Sequence, residues 1–523
     1  MATVGMRLVE GLAARGVDLV FGIPGVHTVE LYRGLAGSPI RHVTARHEQG
    51  AAFMADGYAR VTGKPGVAFV ITGPGLTNAL TAMAQARADS VPMLVVSGVN
   101  QRASLGQGLG LLHELPDQAG LVRALCPTLQ VTAPVMLGPV LDRAFALMLG
   151  GRPGPVHIEV PTDVMAQKAA ALPPALPRTL RAPGATVLAD ARQRLNGAKR
   201  AVILAGGGAR QAAAPLRALA QALDAPVVQT VNARGVMFGH PLGVPASPSL
   251  NAVRALIAGA DLVLAVGTEL GPTDYDMYVR GGFPDLSGMI RVDICAGQLA
   301  RHPAALRIQA DAGLTLSALA AGASPRQADG PARAGACRIA ARAELAGLHP
   351  AMTAQLASVE AMRAALPGAI IVGDSTQPVY AANLYYDHDR PGGWFNAATG
   401  FGALGFGPGA AIGAALGAPD TPVICLIGDG GLQFSAAELR TAYDERLPIS
   451  FVVWNNAGYR EIAEAMAGAG AQVIGCDPSP LGLAAFAESC GLPFVSLAPD
   501  PGTITAELQH PLTGPRLIEL RAP

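Results

Sequence analysis

Uncharged apolar runs that end in glycine recur along the whole chain, with helix-like stretches between them. Three examples are LVFGIPG (19–25), GVAFVITGPG (66–75) and PVICLIGDG (422–430), which ends on an aspartate between glycines. A continuous apolar run is typical of a strand that is buried on both faces, and such strands alternate with helices in doubly wound parallel sheets. The pattern therefore predicts an α/β fold with mainly parallel sheets.

Stretches without a helical or strand period divide this pattern into three parts. One such stretch contains four prolines, and the 523 residues agree with a prior of about three domains. We predict three doubly wound α/β domains at residues 1–165, 188–322 and 350–523, joined by linkers at 166–187 and 323–349.

Charge and cysteine usage narrow the class of protein. Lys plus Arg and Asp plus Glu both number 38, so no basic surplus favours nucleic acid or an acidic membrane as a partner. The uncharged stretch 401–419 is rich in glycine and alanine, which predicts a buried core helix rather than a membrane span. The six cysteines form no C-x-x-C pair, which favours a reducing, cytoplasmic location over disulfides or zinc.

The aspartate between glycines, Asp429, has a potential partner in Asn456. A helical segment and then a strand, ISFVVW (449–454), separate them. A parallel strand–helix–strand unit would bring both residues to the carboxyl ends of adjacent strands, where open α/β sheets bind ligands. Carboxylate and amide oxygens suit Mg²⁺ or Ca²⁺. We expect the metal to bridge to a diphosphate, which would also be held by the backbone amides of Gly428, Gly430 and Gly431; the alternative is a glycine turn with an aspartate helix cap.

G-D-G followed by N-N about 25 residues later resembles the thiamine-diphosphate signature of the decarboxylase and acetolactate-synthase superfamily. The resemblance implies Mg²⁺ bound by Asp429, Asn456 and the backbone carbonyl of Gly458. It also implies that the three domains are the pyrimidine-binding, middle and diphosphate-binding domains of that superfamily.

A second segment, RHEQGAAFMADGYAR (46–60), resembles the part of acetolactate synthases that contains the glutamate facing the cofactor's pyrimidine ring. Glu48 occupies that position, so the resemblance implies that it exchanges a proton with the ring nitrogen. A carboxylate held away from water against an apolar ring shares a proton readily. The alternative is a surface glutamate at a helix start, where the helix dipole favours it.

GFGALGFGPGAAIGA (400–414) resembles the segment that holds the cofactor in its bent shape. By position, the carbonyl of Gly402 would accept from the 4′-amino group, and Leu404 would lie between the two rings. Holding the reacting atoms close together lowers the barrier by orientation. The family builds each active site from two subunits, which implies a homodimer or a dimer of dimers, that is, a homotetramer.

Bound FAD is not expected in the middle domain. AGGGAR (205–210) follows a strand, but Gln211 stands where G-x-G-x-x-G needs its third glycine. The segment VGTELGPTDYD (266–276) also departs from the Arg-Phe-Asp-Asp-Arg stretch of the flavin-containing acetolactate synthases.

Several residues near these motifs are candidates for proton relay or for the substrate pocket. His27 and His113 could relay a proton, although a structural or exposed histidine is an equal alternative. The candidate substrate residues are Val26, Glu114, Gln118, Tyr459, Glu461 and Glu464.

The combination of G-V-H-T-x-E-L-Y, R-H-E-Q-G and L-H-E-L-P-D-Q resembles decarboxylases of 2-ketoarginine. The guanidinium group of that substrate requires a paired carboxylate, which Glu114, Glu461 or Glu464 could supply. This resemblance implies non-oxidative decarboxylation of a 2-keto acid through a C2 ylid and an enamine. Two alternatives remain open. One is acetolactate-synthase-type carboligation to hydroxyketones, and the other is a non-catalytic cofactor-binding or regulatory role.

Overall fold

The computed structural model describes residues 2–177 and 179–522, and these residues form three six-stranded sheets. Neighbouring strands run parallel, and helices connect them. The predicted α/β class with three doubly wound domains is confirmed.

The first sheet has the strand order β2-β1-β3-β4-β6-β5. Its strands are β1 (Leu19–Gly22), β2 (Arg41–Thr44), β3 (Gly66–Val70), β4 (Met93–Val99), β5 (Thr128–Gln130) and β6 (Pro155–Pro161). The helices are α1 (Val4–Ala13), α2 (Val29–Leu35), α3 (Glu48–Thr62), α4 (Pro74–Ala88), α5 (Gln118–Arg123), α6 (Leu137–Leu149) and α7 (Thr162–Met165). Local signals mark the helix ends: Thr3 caps α1 by accepting from the Met6 amide, and Pro74 opens α4.

The second sheet has the order β12-β11-β10-β7-β8-β9, with its strand order reversing between β7 and β10. Its strands are β7 (Ala201–Ala205), β8 (Val227–Gln229), β9 (Gly243–Val244), β10 (Leu262–Val266), β11 (Ile290–Asp293) and β12 (Leu306–Gln309). The helices are α8 (Ala185–Gly197), α9 (Ala213–Leu223), α10 (Asn251–Ala258), α11 (Pro272–Tyr275), α12 (Ala296–Ala300) and α13 (Ala312–Ala321).

The third sheet has the order β14-β13-β15-β16-β18-β17. Its strands are β13 (Ile370–Gly373), β14 (Trp394–Asn396), β15 (Val423–Gly428), β16 (Ile449–Asn455), β17 (Phe494–Leu497) and β18 (Arg516–Arg521). The helices are α14 (Gly330–Leu348), α15 (Met352–Ala365), α16 (Gln377–Leu384), α17 (Phe406–Gly417), α18 (Asp429–Leu432), α19 (Glu438–Asp444), α20 (Arg460–Gly468), α21 (Leu483–Cys490) and α22 (Pro501–Leu508). Helix α14 thus lies inside the second predicted linker.

Helices α3 and α17 pack backbone to backbone, which explains the glycines in both. A Cβ atom at Gly57 would lie 2.0 Å from the carbonyl oxygen of Ala410, and one at Gly413 would lie 1.9 Å from that of Met54. Only glycine permits so close an approach. Residues 406–415 of α17 are buried, as the sequence predicts for this apolar stretch. No helix within the described residues is long and apolar enough to cross a membrane.

By compactness the chain divides into two units. One unit contains the residues up to 179, then 400–496, and those from 512 onward; the other contains 180–399 and 497–511. In the first unit, a core beneath the first sheet is built from buried residues of β1, β3, β4, β6 and the flanking helices α1 and α6. In the second unit, a comparable core packs against β7, β10 and β11. All residues of the candidate active site lie in the first unit.

Candidate active site

Asp429 is the first residue of α18, directly after β15, and its side chain is buried. β15 and β16 are adjacent parallel strands whose register pairs Gly428 with Trp454. Asn456 and Gly458 follow the end of β16, and their backbone amides hydrogen-bond to the Asp429 carboxylate. The structure therefore brings the three predicted metal-binding residues together at the carboxyl edge of the third sheet.

The hydrogen bonds that the Asp429 carboxyl accepts offset only part of the cost of its burial. Burial raises the pKa of the Asp429 carboxyl, and hydrogen bonds from backbone amides, including that of Gly430, lower it in part. A carboxylate, an amide oxygen and a backbone carbonyl form a donor set that fits Mg²⁺. The described residues contain no group of three or more His, Cys, Asp or Glu side chains arranged for a metal, so any metal here would depend on mixed oxygen donors of this kind.

Backbone geometry beside the residues predicted to bind the metal requires glycine. Gly458 has a φ of +149°, and a Cβ atom there would lie 2.4 Å from the carbonyl oxygen of Cys476. The next residue, Tyr459, donates its amide hydrogen to the same carbonyl over 2.9 Å. A Cβ atom at Gly430 would lie 2.6 Å from Cε1 of Tyr459. The predicted substrate residue Tyr459 thus packs on the glycine loop that contains Gly428, Gly430 and Gly431.

Glu48 is the first residue of α3, and its side chain is half-buried. Its Oε2 accepts a hydrogen bond of 3.0 Å from Nδ2 of Asn78 on α4. Its Oε1 lies 3.3 Å from the place that a Cβ atom would take at Gly75.

Gly402 and Leu404 lie in the loop that leads into α17. Gly402 is exposed and has a φ of +77°, with no atom within 4 Å of the place that a Cβ would take. Leu404 is half-buried. Between them, the amide of Ala403 donates to Oε1 of Gln85 over 3.2 Å. The loop is therefore anchored on α4 while its glycine remains accessible.

His27 and His113 contact each other at the carboxyl edge of the first sheet. Their rings meet edge to face, with centroids 5.6 Å apart. A Cβ atom at Gly98 in β4 would lie 2.7 Å from the carbonyl oxygen of His27. His113 has a φ of +61°, a left-handed conformation that is uncommon outside glycine and concentrates at functional sites.

Burial, and next the charge of His113, lower the pKa of His27. Nδ1 of His27 is buried and has no hydrogen-bond partner in the described part of the chain. A neutral imidazole with an unengaged ring nitrogen can accept or donate a proton. The contact between the two rings was not predictable from their positions in the sequence.

The predicted substrate residues differ in their surroundings. Val26 is exposed, whereas Glu114 folds back onto its own loop and accepts hydrogen bonds from the amides of Leu109 (3.1 Å) and Leu111 (2.9 Å). These amides lower the pKa of Glu114. Glu461 and Glu464 are exposed residues of α20.

Gln118, also predicted to line the substrate pocket, is buried within a polar network. Its Oε1 accepts from the amide of Gly73 over 2.9 Å, and its Nε2 donates to Oε2 of Glu159 (2.8 Å) and to the carbonyl of Gly98 (3.0 Å). His157 joins the network through a 2.7 Å hydrogen bond to Ser97. All the polar groups of the Gln118 side chain are engaged within the domain.

Glu159 and His157 were not predicted from the sequence to be part of a buried polar network. Burial raises the pKa of Glu159 and lowers that of His157 to about 3, so both are driven toward their neutral forms. Polar residues two apart in the buried strand VHIEV share one face of the sheet. That spacing within an otherwise apolar strand was the available signal.

In the middle domain, backbone hydrogen bonds connect the loop that follows β7 with the end of β10 and the loop that follows it. The amide of Gly208 donates to the carbonyl of Gly267 over 3.0 Å, and the amide of Gly206 donates to that of Val266 over 2.9 Å. These loops lie where the strand order reverses, which is the usual ligand crevice of an open α/β sheet. The prediction that FAD does not bind remains a prediction.

Comparison with protein families gives three matches along the chain. Residues 2–121 match the "Thiamine pyrophosphate enzyme, N-terminal TPP binding domain", residues 188–319 match its central domain, and residues 373–520 match its C-terminal TPP binding domain.

Curated relatives and solved structures agree with these matches. The chain is 44% identical over 487 residues to the "Probable 2-ketoarginine decarboxylase AruI" of Pseudomonas aeruginosa, covering 91% of this chain and 86% of that protein. It is 33% identical to the acetolactate synthase isozyme 1 large subunit of Escherichia coli, over 86% of this chain and 81% of that one. The thiamine diphosphate-dependent 4-hydroxybenzoylformate decarboxylase of Rhodococcus jostii RHA1 superposes with a TM-score of 0.84 at 27% identity, covering 100% of this chain and 99% of the other.

The order of the three matched domains and their lengths follow the three sheets of the structure. The chain therefore belongs to the thiamine pyrophosphate enzyme family, and it is an enzyme of that family with its N-terminal, central and C-terminal domains.

Proposed function

We propose that this protein is a thiamine-diphosphate- and Mg²⁺-dependent decarboxylase of a 2-keto acid, and that the acid is 2-ketoarginine. One observation carries the reaction type: the buried carboxylate of Asp429 lies against the backbone of Asn456 and Gly458 at the ends of two adjacent parallel strands. The substrate rests on the 44% identity to a 2-ketoarginine decarboxylase.

Asp429, Asn456 and the carbonyl of Gly458 would hold Mg²⁺, and the amides of Gly428, Gly430 and Gly431 would hold the diphosphate. Gly402 and Leu404 would orient the two rings of the cofactor. When bound, thiamine diphosphate supplies the electron sink that decarboxylation of a 2-keto acid needs.

Glu48 would hold and return a proton at the pyrimidine. Its place at the start of α3, half-buried and fixed by Asn78, suits a carboxylate that must keep one orientation. His27 would relay a proton to the reacting carbon, assisted by His113: burial and the neighbouring ring favour the neutral form of His27, which would first accept the proton that it then passes on.

A guanidinium substrate needs a carboxylate as its partner, and Glu114, Glu461 or Glu464 would supply it. Glu461 and Glu464 are exposed on α20, just beyond the predicted metal-binding residues, and the Glu114 carboxylate is held by the amides of Leu109 and Leu111. Val26, Gln118 and Tyr459 would shape the rest of the pocket.

The protein would act in the cytoplasm as a homodimer or a dimer of dimers. Each active site would combine Glu48 of one subunit with Asp429 of its partner.

A screen for CO₂ release tests the function directly. Purified protein with thiamine diphosphate and Mg²⁺ is offered 2-ketoarginine, pyruvate, benzoylformate and branched-chain 2-keto acids, and the products are identified. We expect CO₂ and 4-guanidinobutanal from 2-ketoarginine, while no release from any of these acids would contradict the proposal.

Carboligation is the second candidate, favoured by the 33% identity to an acetolactate synthase. It predicts a hydroxyketone or acetohydroxy acid from pyruvate instead of an aldehyde.

A further inference from the structure

Glu438 is a buried carboxylate in the segment that follows the Asp429 loop. It is the first residue of α19, and only 1% of it is exposed. Burial raises its pKa, and hydrogen bonds from Thr441, Arg46 and His47 lower the pKa in part. A buried carboxylate is normally matched by hydrogen-bond donors, and the donors to Glu438 show which segments of the chain it fixes.

The carboxylate of Glu438 holds the two residues that precede Glu48. Its Oε1 accepts from the amides of Arg46 (3.1 Å) and His47 (3.0 Å), and its Oε2 accepts from the amide of Arg46 (3.2 Å). The hydroxyl of Thr441 donates to Oε2 over 2.7 Å. The backbone that enters α3 is therefore fixed by a side chain from the third domain of the same chain.

The first turn of α3 is shaped to receive this carboxylate. A Cβ atom at Gly50 would lie 2.1 Å from Oε1 of Glu438, so glycine is needed there. Two ion pairs surround the contact, Arg46 with Asp444 and Arg41 with Glu445, but they are partly exposed to solvent, which weakens such pairs. Glu438 is the buried member of this set of contacts.

We propose that Glu438 is the positioning residue for Glu48: it fixes the backbone at residues 46 and 47 and thereby sets where the Glu48 carboxylate points. The inference rests on the proposed function, since it concerns the residue assigned to proton exchange at the cofactor. Misplacement of a proton-transfer group by about 1 Å can lower a rate by about 100-fold.

The test compares replacements that differ in the acceptor they offer. Glu438→Met keeps the length of the side chain but accepts no hydrogen bond of ordinary strength. Glu438→Gln keeps one oxygen for the amides of Arg46 and His47, while its NH₂ group can donate to Thr441. Glu445→Gln is the matched control, because it removes another acid that pairs with the first domain.

Two readouts are needed. The first is hydrogen exchange of the Arg46 and His47 amides in the apoprotein, and the second is exchange of the C2 proton of bound thiamine diphosphate. For Glu438→Met we expect amide exchange to rise about 10-fold or more and C2 exchange to fall about 10-fold or more, with cofactor affinity within about threefold of wild type. Glu438→Gln and Glu445→Gln should stay near wild type in both.

Unchanged amide exchange or unchanged C2 exchange in Glu438→Met would overturn the inference. Glu48→Gln separates the two claims. If Glu48→Gln leaves C2 exchange unchanged, the proposed role of Glu48 fails, whereas the amide readout still decides whether Glu438 holds this segment. If Glu438→Met does not fold, Thr441→Val decides instead: faster exchange of the two amides supports the inference, and wild-type protection overturns it.

Discussion

His27 and His113 lie edge to face with their ring centroids 5.6 Å apart, although one follows β1 and the other belongs to the loop that precedes α5. Two imidazoles at this distance cannot both carry a positive charge without mutual repulsion. Burial, followed by this repulsion, lowers the pKa of His27.

Replacing His113 with glutamine should raise the pKa of His27 toward its ordinary value, because one of its two causes of depression disappears. Burial remains, so the recovery should be partial. Titration of the His27 ring by NMR measures it. A pKa of His27 that stays unchanged or falls would show that His113 does not lower it.

His27→Gln should lower the turnover number by about 10²-fold or more if His27 transfers a proton. Affinity for thiamine diphosphate should stay close to that of wild type, since no cofactor-binding role is assigned to this residue. Steady-state kinetics and cofactor titration measure the two quantities. Loss of cofactor affinity with normal turnover would assign His27 to binding instead.

Asp429→Ala should abolish Mg²⁺-dependent binding of thiamine diphosphate, with a loss of at least about 100-fold in affinity. The residue would supply the charged ligand of the metal. Asp420→Asn is the matched control, because Asp420 is an exposed acid just before β15. Calorimetry with and without a chelator measures the effect, and tight binding by Asp429→Ala would refute the assignment.

Gln118→Leu should lower the free energy of unfolding of the first domain by about 2–4 kcal/mol, because it leaves the Gly73 amide without its partner and removes one of the two side-chain donors, Gln118 and Gln130, to the Glu159 carboxyl. Glu159→Gln should cost much less, since burial already favours the neutral form of Glu159. Hydrogen exchange of β4 and β6 amides compares the two variants. Equal losses in both would contradict this description of the network.

Asp387 supplies a prediction about pH. Burial raises its pKa to about 6, against the attraction of Arg234 and Arg363. The protonated form therefore contributes stability that is fully present below about pH 4 and is lost as the pH rises through 6. Asp387→Asn should match wild type at pH 4 and be more stable by about 3 kcal/mol at pH 8.

The melting temperature of the apoprotein, measured from pH 4 to pH 8, tests this prediction. A variant that is less stable than wild type at pH 8 would show that the attraction of the arginines outweighs burial.

Much of the fold was predictable from local pattern. Apolar runs such as GVAFVITGPG and PVICLIGDG mark buried parallel strands, and the strand–helix–strand unit from residue 422 to 456 brings Asp429 and Asn456 to one edge. Six strands were not predicted. β5, β9 and β14 have only two or three residues, which carry too little periodicity to distinguish them from loops, and polar or charged residues interrupt the apolar runs of β2, β12 and β18.

The parts that could not be predicted depend on contacts between distant segments. In the sequence, Glu438 cannot be distinguished from an ordinary acidic residue on a helix surface. Its contact with the amides of Arg46 and His47 is visible only in the folded structure. Gln118 reads as a loop residue, yet it is buried against Glu159. No local pattern records which side chain will meet which backbone amide across a domain.

The role of Glu48 in proton exchange at the cofactor is tested by the exchange rate of the C2 proton of bound thiamine diphosphate in wild type and in Glu48→Gln. We expect rapid exchange in the wild-type holoenzyme and a decrease of about 100-fold or more in Glu48→Gln, with the cofactor still bound. Equal rates in the two proteins would show that Glu48 does not exchange this proton.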